Sequence, residues 1–529
     1  MGHVHALRLG LTDPRFPASA IPGAVSVLPS ARQALNRAFA ESGPHPDALA
    51  TSLEAAGTEV RRPELGELVA DVPADPQARN EARQRVAAVD DEAIRLRTAV
   101  KARDGFFTTY CISPYSRYIA RWCARRGLTP NQVTTASLLT ALIAAGCAAT
   151  GTRPGFVAAG LLLLFSFVLD CTDGQLARYS LQYSTLGAWL DATFDRAKEY
   201  AYYAGLALGA ANANGDDVWA LALGAMVLQS CRHIVDFSFN EANHDASANT
   251  SPTAALSDKL DSVGWTVWLR RMIVLPIGER WALIAILTAL TTPRVTFVVL
   301  LIGCALAACY TTAGRVLRSL TRKARRTDRA AQALADLADT GPIAQLFSKV
   351  KAPLPAPVTA ALGGVAVVTV SALTDVGGPW PIVAAAVYCV TSGLAVARPL
   401  KGALDWLVPP VFRASEYLTI LVLAARSDVD QALPAAFGLV GAVAYHHYDT
   451  VYRIRGGTGA PPHWLVRAIG GHEGRTLVVT ILAALFTTTD FTVALTVLAV
   501  FVALVVLAES IRFWVSAGAP AVHDEGEPA

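Results

Sequence analysis

Long apolar segments recur along this chain and constrain its fold more than any other feature. Six of them are long enough to cross a bilayer as helices, at residues 133–150, 155–178, 186–212, 217–240, 272–292 and 294–318. A second apolar block runs from residue 357 to residue 515. Because 53% of the residues are hydrophobic and only 16% are charged, we predict an all-α, polytopic membrane helical bundle.

One polar stretch, Asp170–Asp195, joins the second and third apolar segments and reads DCTDGQLARYSLQYSTLGAWLDATFD. It holds two pairs of aspartates, Asp170/Asp173 and Asp191/Asp195, and residues three or four apart share one face of a helix. Like charges at this spacing repel each other, and at membrane depth they also lose their hydration. Clustered carboxylate oxygens are the ligands of Mg²⁺, Mn²⁺ or Ca²⁺. The stretch therefore predicts a divalent metal site.

Small residues and one cation accompany the aspartates. Gly174 and Ala177 follow the first pair at helical spacing and leave a notch where a ligand can approach the backbone. Arg178 adds a planar cation suited to phosphate, and Gly187 precedes the second pair by one turn. The alternative interpretation of the small residues is close packing between membrane helices.

The complete pattern, D-x2-D-G-x2-A-R-x8-G-x3-D-x3-D, resembles the signature of the CDP-alcohol phosphotransferase (CDP-alcohol phosphatidyltransferase) family. The resemblance implies an enzyme of phospholipid-type biosynthesis that moves a phosphoalcohol from a CDP-alcohol to a second alcohol and releases CMP. It implies two divalent ions, Mg²⁺ or Mn²⁺, with Asp195 also the catalytic base. The implied metal ligands are Asp170, Asp173, Asp191 and Asp195. The implied CDP-binding residues are Gly174, Ala177, Arg178 and Gly187.

Cationic side chains near the aspartates are the candidates for binding the acceptor; these are Arg196, Lys198, Arg232 and Arg271. If the acceptor is a phosphorylated polyol such as inositol phosphate, two of these side chains would hold its phosphate. The TPNQVT run at residues 129–134 and the PIGER run at residues 276–280 resemble the inositol-phosphate-using members of the family. The donor is then either CDP-diacylglycerol or a CDP-polyol such as CDP-inositol. Alternatively, these cations pair with nearby carboxylates or extend to the membrane interface.

The chain divides into five parts by composition. We expect a soluble N-terminal region, a catalytic membrane core, a polar linker, a second membrane block and a tail, at residues 1–100, 101–325, 326–356, 357–515 and 516–529.

The second block contains short sequences similar to those of the core, such as FRASEY at residues 412–417, which resembles FDRAKEY at residues 194–200. We interpret it as a degenerate copy in six-helix form. The matching positions of Gly187, Asp191 and Asp195 in this copy are Leu404, Val408 and Phe412. Because these side chains cannot hold metal ions, the copy is predicted to be non-catalytic. Members of the family are usually dimers, so we expect either a homodimer or a chain whose second block replaces or extends the second subunit.

Two adjacent histidines in the second block, His446 and His447, lie near Asp449. Such a group is either a metal site or a set of buried polar side chains. Because no third ligand stands at a suitable spacing, the sequence favours the buried polar interpretation.

The distribution of cations predicts the orientation of the core. Residues 211–218 contain no Lys or Arg, whereas residues 268–271 and 315–329 are dense in them. By the positive-inside rule, the Asp170–Asp195 stretch faces the cytoplasm. The predicted partners are the CDP-alcohol, the acceptor and membrane lipid, with no nucleic acid. The competing interpretation is a non-catalytic membrane scaffold or transporter, and the intact set of aspartates argues against it.

Overall fold

A computed structural model describes residues 17–28, 31–65, 69–101, 104–244, 274–321, 325–350, 353–486 and 488–516. The chain forms two compact units, divided between Thr98 and Ala99. The first unit contains a sheet of order β2-β1-β3, in which β1 pairs antiparallel with β2 and parallel with β3. Its strands are β1 (Ala18–Ile21), β2 (Ala24–Val27) and β3 (Val60–Arg61). The helices are α1 (Arg32–Ser42), α2 (Pro46–Ala55), α3 (Pro76–Ala87) and α4 (Asp91–Thr98). An all-α prediction misses these strands, which are only two to four residues long.

The second unit begins with the predicted catalytic core. A short π-helix, Thr108–Ile112, leads into the amphipathic helix α5 (Ser113–Arg125). Six longer helices follow: α6 (Pro130–Ala149), α7 (Arg153–Ser180), α8 (Thr185–Asn214), α9 (Trp219–Asn243), α10 (Ile277–Leu290) and α11 (Pro293–Thr321). Among the described residues of the predicted core, each of these six helices overlaps one predicted apolar segment.

The second block adds another helical bundle. Its helices are α12 (Asp328–Ala338), α13 (Pro342–Phe347), α14 (Ala356–Leu373), α15 (Trp380–Ala395), α16 (Val408–Arg426), α17 (Ala432–Arg455), α18 (His463–Ala468), α19 (Gly471–Leu485) and α20 (Thr489–Ser516). A 3₁₀ turn, Asp405–Leu407, precedes α16.

Six helical segments in the described part of the chain are long and apolar enough to cross a membrane, three in each block. They are Pro130–Ala149, Arg153–Ser180, Pro293–Thr321, Ala356–Leu373, Asp405–Arg426 and Thr489–Ser516. Helix α10 has only 14 residues, while α8 carries the charges of the site. The apolar helices confirm a polytopic bundle, although among the described residues only three of the six segments predicted for the core meet these limits.

Close packing of small residues places α8 against α6. Helix α6 buries a row of alanines that includes Ala144, Ala145 and Ala148. A Cβ atom at Gly209 of α8 would overlap the carbonyl oxygen of Ala148. Helix α6 also packs along α7, so the two helices that carry the aspartates share one support. Helix α6 therefore sets the relative position of the two helices that carry the aspartates.

Candidate active site

The aspartate motif lies where α7 ends and α8 begins. Helix α7 ends at Ser180, after which Leu181 adopts a left-handed φ of 57°. The Ser184 side chain then caps α8 by accepting a hydrogen bond of 2.9 Å from the N–H of Gly187. This tight reversal brings the C-terminal half of α7 beside the first turns of α8, so the two aspartate pairs face each other.

Three of the four aspartates converge. Asp170, Asp173 and Asp191 each offer a carboxylate oxygen, and these oxygens lie within 4.8 Å of one another. Oδ2 of Asp173 is buried and has no hydrogen-bond partner among the described residues, whereas Asp191 is exposed. A buried carboxylate oxygen without a donor is costly unless a cation binds it. The group is therefore a site that can hold a divalent cation and that opens to solvent on one side.

Lys198 lies among the aspartates and was not predicted there. Its ammonium contacts Asp170 and lies 2.9 Å from Oδ1 of Asp195. The side chain is fully buried; it donates a hydrogen bond of 3.1 Å to Ser137 and lies 5.5 Å from the ring centre of Trp281. The fourth aspartate, Asp195, thus pairs with a resident cation, and it does not belong to the converging group of three.

The predicted CDP-binding residues fall into two kinds. A Cβ atom at Gly174 would meet only the Arg178 guanidinium, at an ordinary 3.5 Å. The Nε of Arg178 donates a hydrogen bond of 2.5 Å to the carbonyl oxygen of Ala99, which holds the guanidinium over Gly174. Ala177, between them, is half-buried. Packing between helices does not require glycine at 174, because the atoms nearest to this position belong to the Arg178 guanidinium.

Helix packing explains why residue 187 is a glycine. A Cβ atom there would lie 2.8 Å from both Oδ1 of Asn131 and Oγ of Ser184. Gly187 therefore permits the start of α8 to lie against the start of α6, which is the packing interpretation of this glycine.

The predicted acceptor residues are placed differently. Arg196 pairs with Glu199 at 2.7 Å, and Lys198 pairs with the aspartates, so both are engaged with carboxylates. Arg232 donates a hydrogen bond to the carbonyl oxygen of Val274. Its Nη1 is buried and has no partner among the described residues. Arg271 lies outside the described residues.

A buried group of ion pairs around Glu199 lies beside the site, and the sequence does not predict that its members meet. Glu199 accepts hydrogen bonds from Arg196 at 2.7 Å, from Nη2 of Arg280 at 3.2 Å and from the Tyr203 hydroxyl at 2.7 Å. The spacing of three residues between Arg196 and Glu199 could have indicated the first pair. The link from α8 to Arg280 of α10 spans 81 residues, and no local signal indicates it.

The two histidines of the second block meet an unexpected carboxylate. His446 and His447 lie 2.9 and 3.3 Å from Asp339, while Asp449 pairs with Arg453. Arg475 also lies 2.9 Å from Asp339. A metal ion here would compete with a guanidinium, so the geometry favours the buried polar interpretation.

Parts of this chain are similar to three curated proteins. The bifunctional IPC transferase and DIPP synthase of Thermococcus kodakarensis is 33% identical over 125 residues, covering 23% of this chain and 27% of that protein. The archaetidylinositol phosphate synthase of Pyrococcus horikoshii is 35% identical over 91 residues, covering 17% and 47%. The phosphatidylinositol phosphate synthase of Streptomyces avermitilis is 31% identical over 112 residues, covering 21% and 43%. The chain spans less than half the length of each of these relatives.

Two family models match separate parts of the chain. Residues 328–529 match a family of unknown function (DUF5941), so the family comparison gives no support to a second copy of the catalytic domain there. Residues 127–309 match the CDP-alcohol phosphatidyltransferase model, and this range contains the whole aspartate motif. The segment 127–309 of this chain thus belongs to the CDP-alcohol phosphatidyltransferase family of phosphotransferase enzymes.

Proposed function

We propose that the core transfers a phosphoalcohol from a CDP-alcohol to a second alcohol and releases CMP, as a step of phospholipid synthesis. The observation that carries this proposal is the group of three convergent carboxylates, Asp170, Asp173 and Asp191. In this group, Oδ2 of Asp173 is buried and has no hydrogen-bond partner among the described residues. The Arg178 guanidinium, which is held over Gly174 beside this group, supports a phosphate-bearing ligand.

The donor would bind across the end of α7. Asp170, Asp173 and Asp191 would hold Mg²⁺ or Mn²⁺, because hard oxygen donors suit these ions. When bound, such an ion offsets the charge of a pyrophosphate and of the departing CMP. We propose a second ion on the side of Asp195, as in the family pattern. Arg178, held in place by Ala99, would donate to a donor phosphate through its terminal nitrogens.

Asp195 is the proposed base that accepts the proton of the attacking hydroxyl. Its carboxylate faces the same space as Asp170, and the Lys198 ammonium lies against both. The ammonium offsets part of the repulsion between these two carboxylates and favours the ionised form of Asp195 that a base requires. An ionised carboxylate within hydrogen-bond reach of a bound alcohol can act as a general base.

We propose that inositol phosphate takes part in the reaction, either as the acceptor or as the group that a CDP-inositol donor transfers. The relatives from Pyrococcus horikoshii and Streptomyces avermitilis are an archaetidylinositol phosphate synthase and a phosphatidylinositol phosphate synthase. Arg232 offers a buried guanidinium nitrogen without a partner among the described residues, which suits an acceptor phosphate. We propose that the protein is integral to the membrane, with the aspartates on the cytoplasmic side, from the distribution of Lys and Arg in the sequence.

The test is CMP release by the purified full chain in lipid vesicles with Mg²⁺. CDP-diacylglycerol and CDP-inositol are each offered with inositol phosphate and with simple alcohols. We expect CMP that depends on acceptor and that vanishes in Asp195→Asn. The matched control is Asp428→Asn, because Asp428 is exposed and its φ of 52° suits asparagine. Folded protein that binds Mn²⁺ and releases no CMP with any pair would overturn the proposal and favour a non-catalytic scaffold.

A further inference from the structure

The second block repeats the helix packing of the core. In the core, α6 packs on α7 and α8, α7 packs on α10, and α11 packs on α9 and α10. In the second block, α14 packs on α15 and α16, α15 packs on α19, and α20 packs on α17 and α19. The short helices agree as well, since α5 packs on α7 and α13 packs on α15. Two unrelated six-helix bundles would not be expected to share every one of these pairs.

A buried ion-pair group occurs at the same place in both blocks. In the core, Glu199 lies between Arg196 and Arg280. In the second block, Glu416 lies 3.5 Å from Arg413 and 2.6 Å from Arg475. The first group joins α8 to α10 and the second joins α16 to α19, and in each the first arginine precedes the glutamate by three residues. The first arginine and the glutamate of each group belong to the similar runs FDRAKEY and FRASEY, and the contacts to Arg280 and Arg475 add a match between helices.

A second contact joins α9 to α11 in the core and α17 to α20 in the second block. Asp236 of α9 pairs with Arg315 of α11. In the second block, Asp449 of α17 accepts a hydrogen bond of 2.8 Å from Ser510 of α20. The positions agree although the donor has changed from a guanidinium to a hydroxyl.

The two blocks face each other reciprocally. Helix α9 of the core packs on α16, and the counterpart of α9, α17, packs on α8, the counterpart of α16. Helices α9 and α17 also pack on each other. This reciprocity is the pattern of an approximate two-fold relation.

Apolar side chains fill the positions of the aspartates in the second block. Val408 and Phe412, which match Asp191 and Asp195, are both fully buried. Phe412 stacks on His472 with ring centres 4.1 Å apart. The second block therefore has packing where the core has its open site.

The second block also contacts the catalytic helix beside its aspartates. Trp514 stacks on Trp189 of α8, with ring centres 6.0 Å apart and planes at 21°. The Arg196 guanidinium lies over the ring of Tyr448, with Cζ 5.3 Å from the ring centre, and the Tyr448 hydroxyl contacts Nδ1 of His233. Trp189 stands two residues before Asp191 and Arg196 directly follows Asp195, so the two contacts bracket the aspartates of α8.

We infer that residues 328–516 are an inactive counterpart of the core whose Trp514 and Tyr448 are positioning residues for the aspartates of α8. Trp514 is itself fixed, because its indole N–H donates a hydrogen bond of 2.6 Å to Asp449. Side chains that orient metal ligands typically change metal affinity or activity by about 10- to 100-fold when removed. This inference assigns a role to the block that matches a family of unknown function.

The test uses Trp514→Ala in the full chain, with Trp514→Phe as the conservative variant. We expect Trp514→Ala to weaken Mn²⁺ binding by about fivefold or more and to lower kcat for CMP release by about tenfold or more, with a smaller change in KM. Trp514→Phe keeps a ring against Trp189 and should recover most of both losses. Trp464→Ala is the matched control, because this tryptophan of the second block is 55% exposed.

Two results would overturn the inference: Mn²⁺ affinity and kcat within about twofold of the unaltered chain in Trp514→Ala, or equal losses in Trp464→Ala. Should Trp514→Ala not fold, Tyr448→Leu carries the same test, since it keeps a buried apolar side chain and removes the ring that lies against the Arg196 guanidinium. Mn²⁺ binding does not depend on the proposed reaction. A chain that releases no CMP but loses Mn²⁺ affinity in Trp514→Ala would reject the proposed function and support this inference.

Discussion

The ammonium of Lys198 competes with any cation that the aspartates bind, so Lys198→Met should raise metal affinity. A divalent ion held by Asp170 would lie on the order of 5 Å from the ammonium, because metal–oxygen distances are about 2.1 Å. At an effective dielectric constant of about 40 to 80, the repulsion amounts to about 1.7–3.3 kcal/mol. At about 1.4 kcal/mol per tenfold change, affinity rises about 15- to 250-fold.

Titration of the purified chain with Mn²⁺, followed by calorimetry or by the electron paramagnetic resonance of free Mn²⁺, measures this change. Lys401→Met is the matched control, because this lysine lies in the second block and pairs with Asp328 on the surface; its Mn²⁺ affinity should not change. Weaker binding in Lys198→Met would refute the electrostatic argument, since it would mean that Lys198 chiefly holds the carboxylates in place. Unchanged binding would place the cation away from Asp170 and Asp195.

Three further changes test other parts of the structure. Asp173→Asn should lower the rate of CMP release at least 100-fold, which is the upper end of the losses seen when metal sites are altered. The metal-free protein should unfold at the same or a higher denaturant concentration, because the substitution removes a buried carboxylate that repels its neighbours. Glu416→Gln leaves two buried arginines with one partner fewer and should lower the free energy of unfolding by about 3–5 kcal/mol, measured by denaturant titration in mixed micelles. Gly209→Ala forces a methyl group against the Ala148 carbonyl and should cost about 1–3 kcal/mol by the same method; no loss would mean that α6 and α8 can separate without penalty.

The positions of the helices follow from local sequence. The segment predicted at 133–150 is the helix Pro130–Ala149, whose start is set by a capping box between Thr129 and Gln132. The aspartate pairs could also be predicted, because helical spacing fixes which face they share. Local patterns of this kind depend only on backbone geometry.

Contacts between helices could not be predicted in the same way. The pairing of Lys198 with Asp170 depends on the reach of a side chain from α8 to α7, and the sequence equally allowed it to bind an acceptor. Gly174 and Gly187 look alike in the motif, but only Gly187 faces a neighbouring helix, through Asn131. Distinctions of this kind are decided by packing, which a single sequence does not record.

The interface of α9 with α16 and α17 joins two bundles that belong to one polypeptide. Two separate chains must find each other in the bilayer, and their association depends on how densely they populate it. Here the connecting segment keeps the partners at a high effective concentration whatever the amount of protein. The catalytic helix would therefore retain its support on extreme dilution into lipid, where a two-chain assembly would come apart.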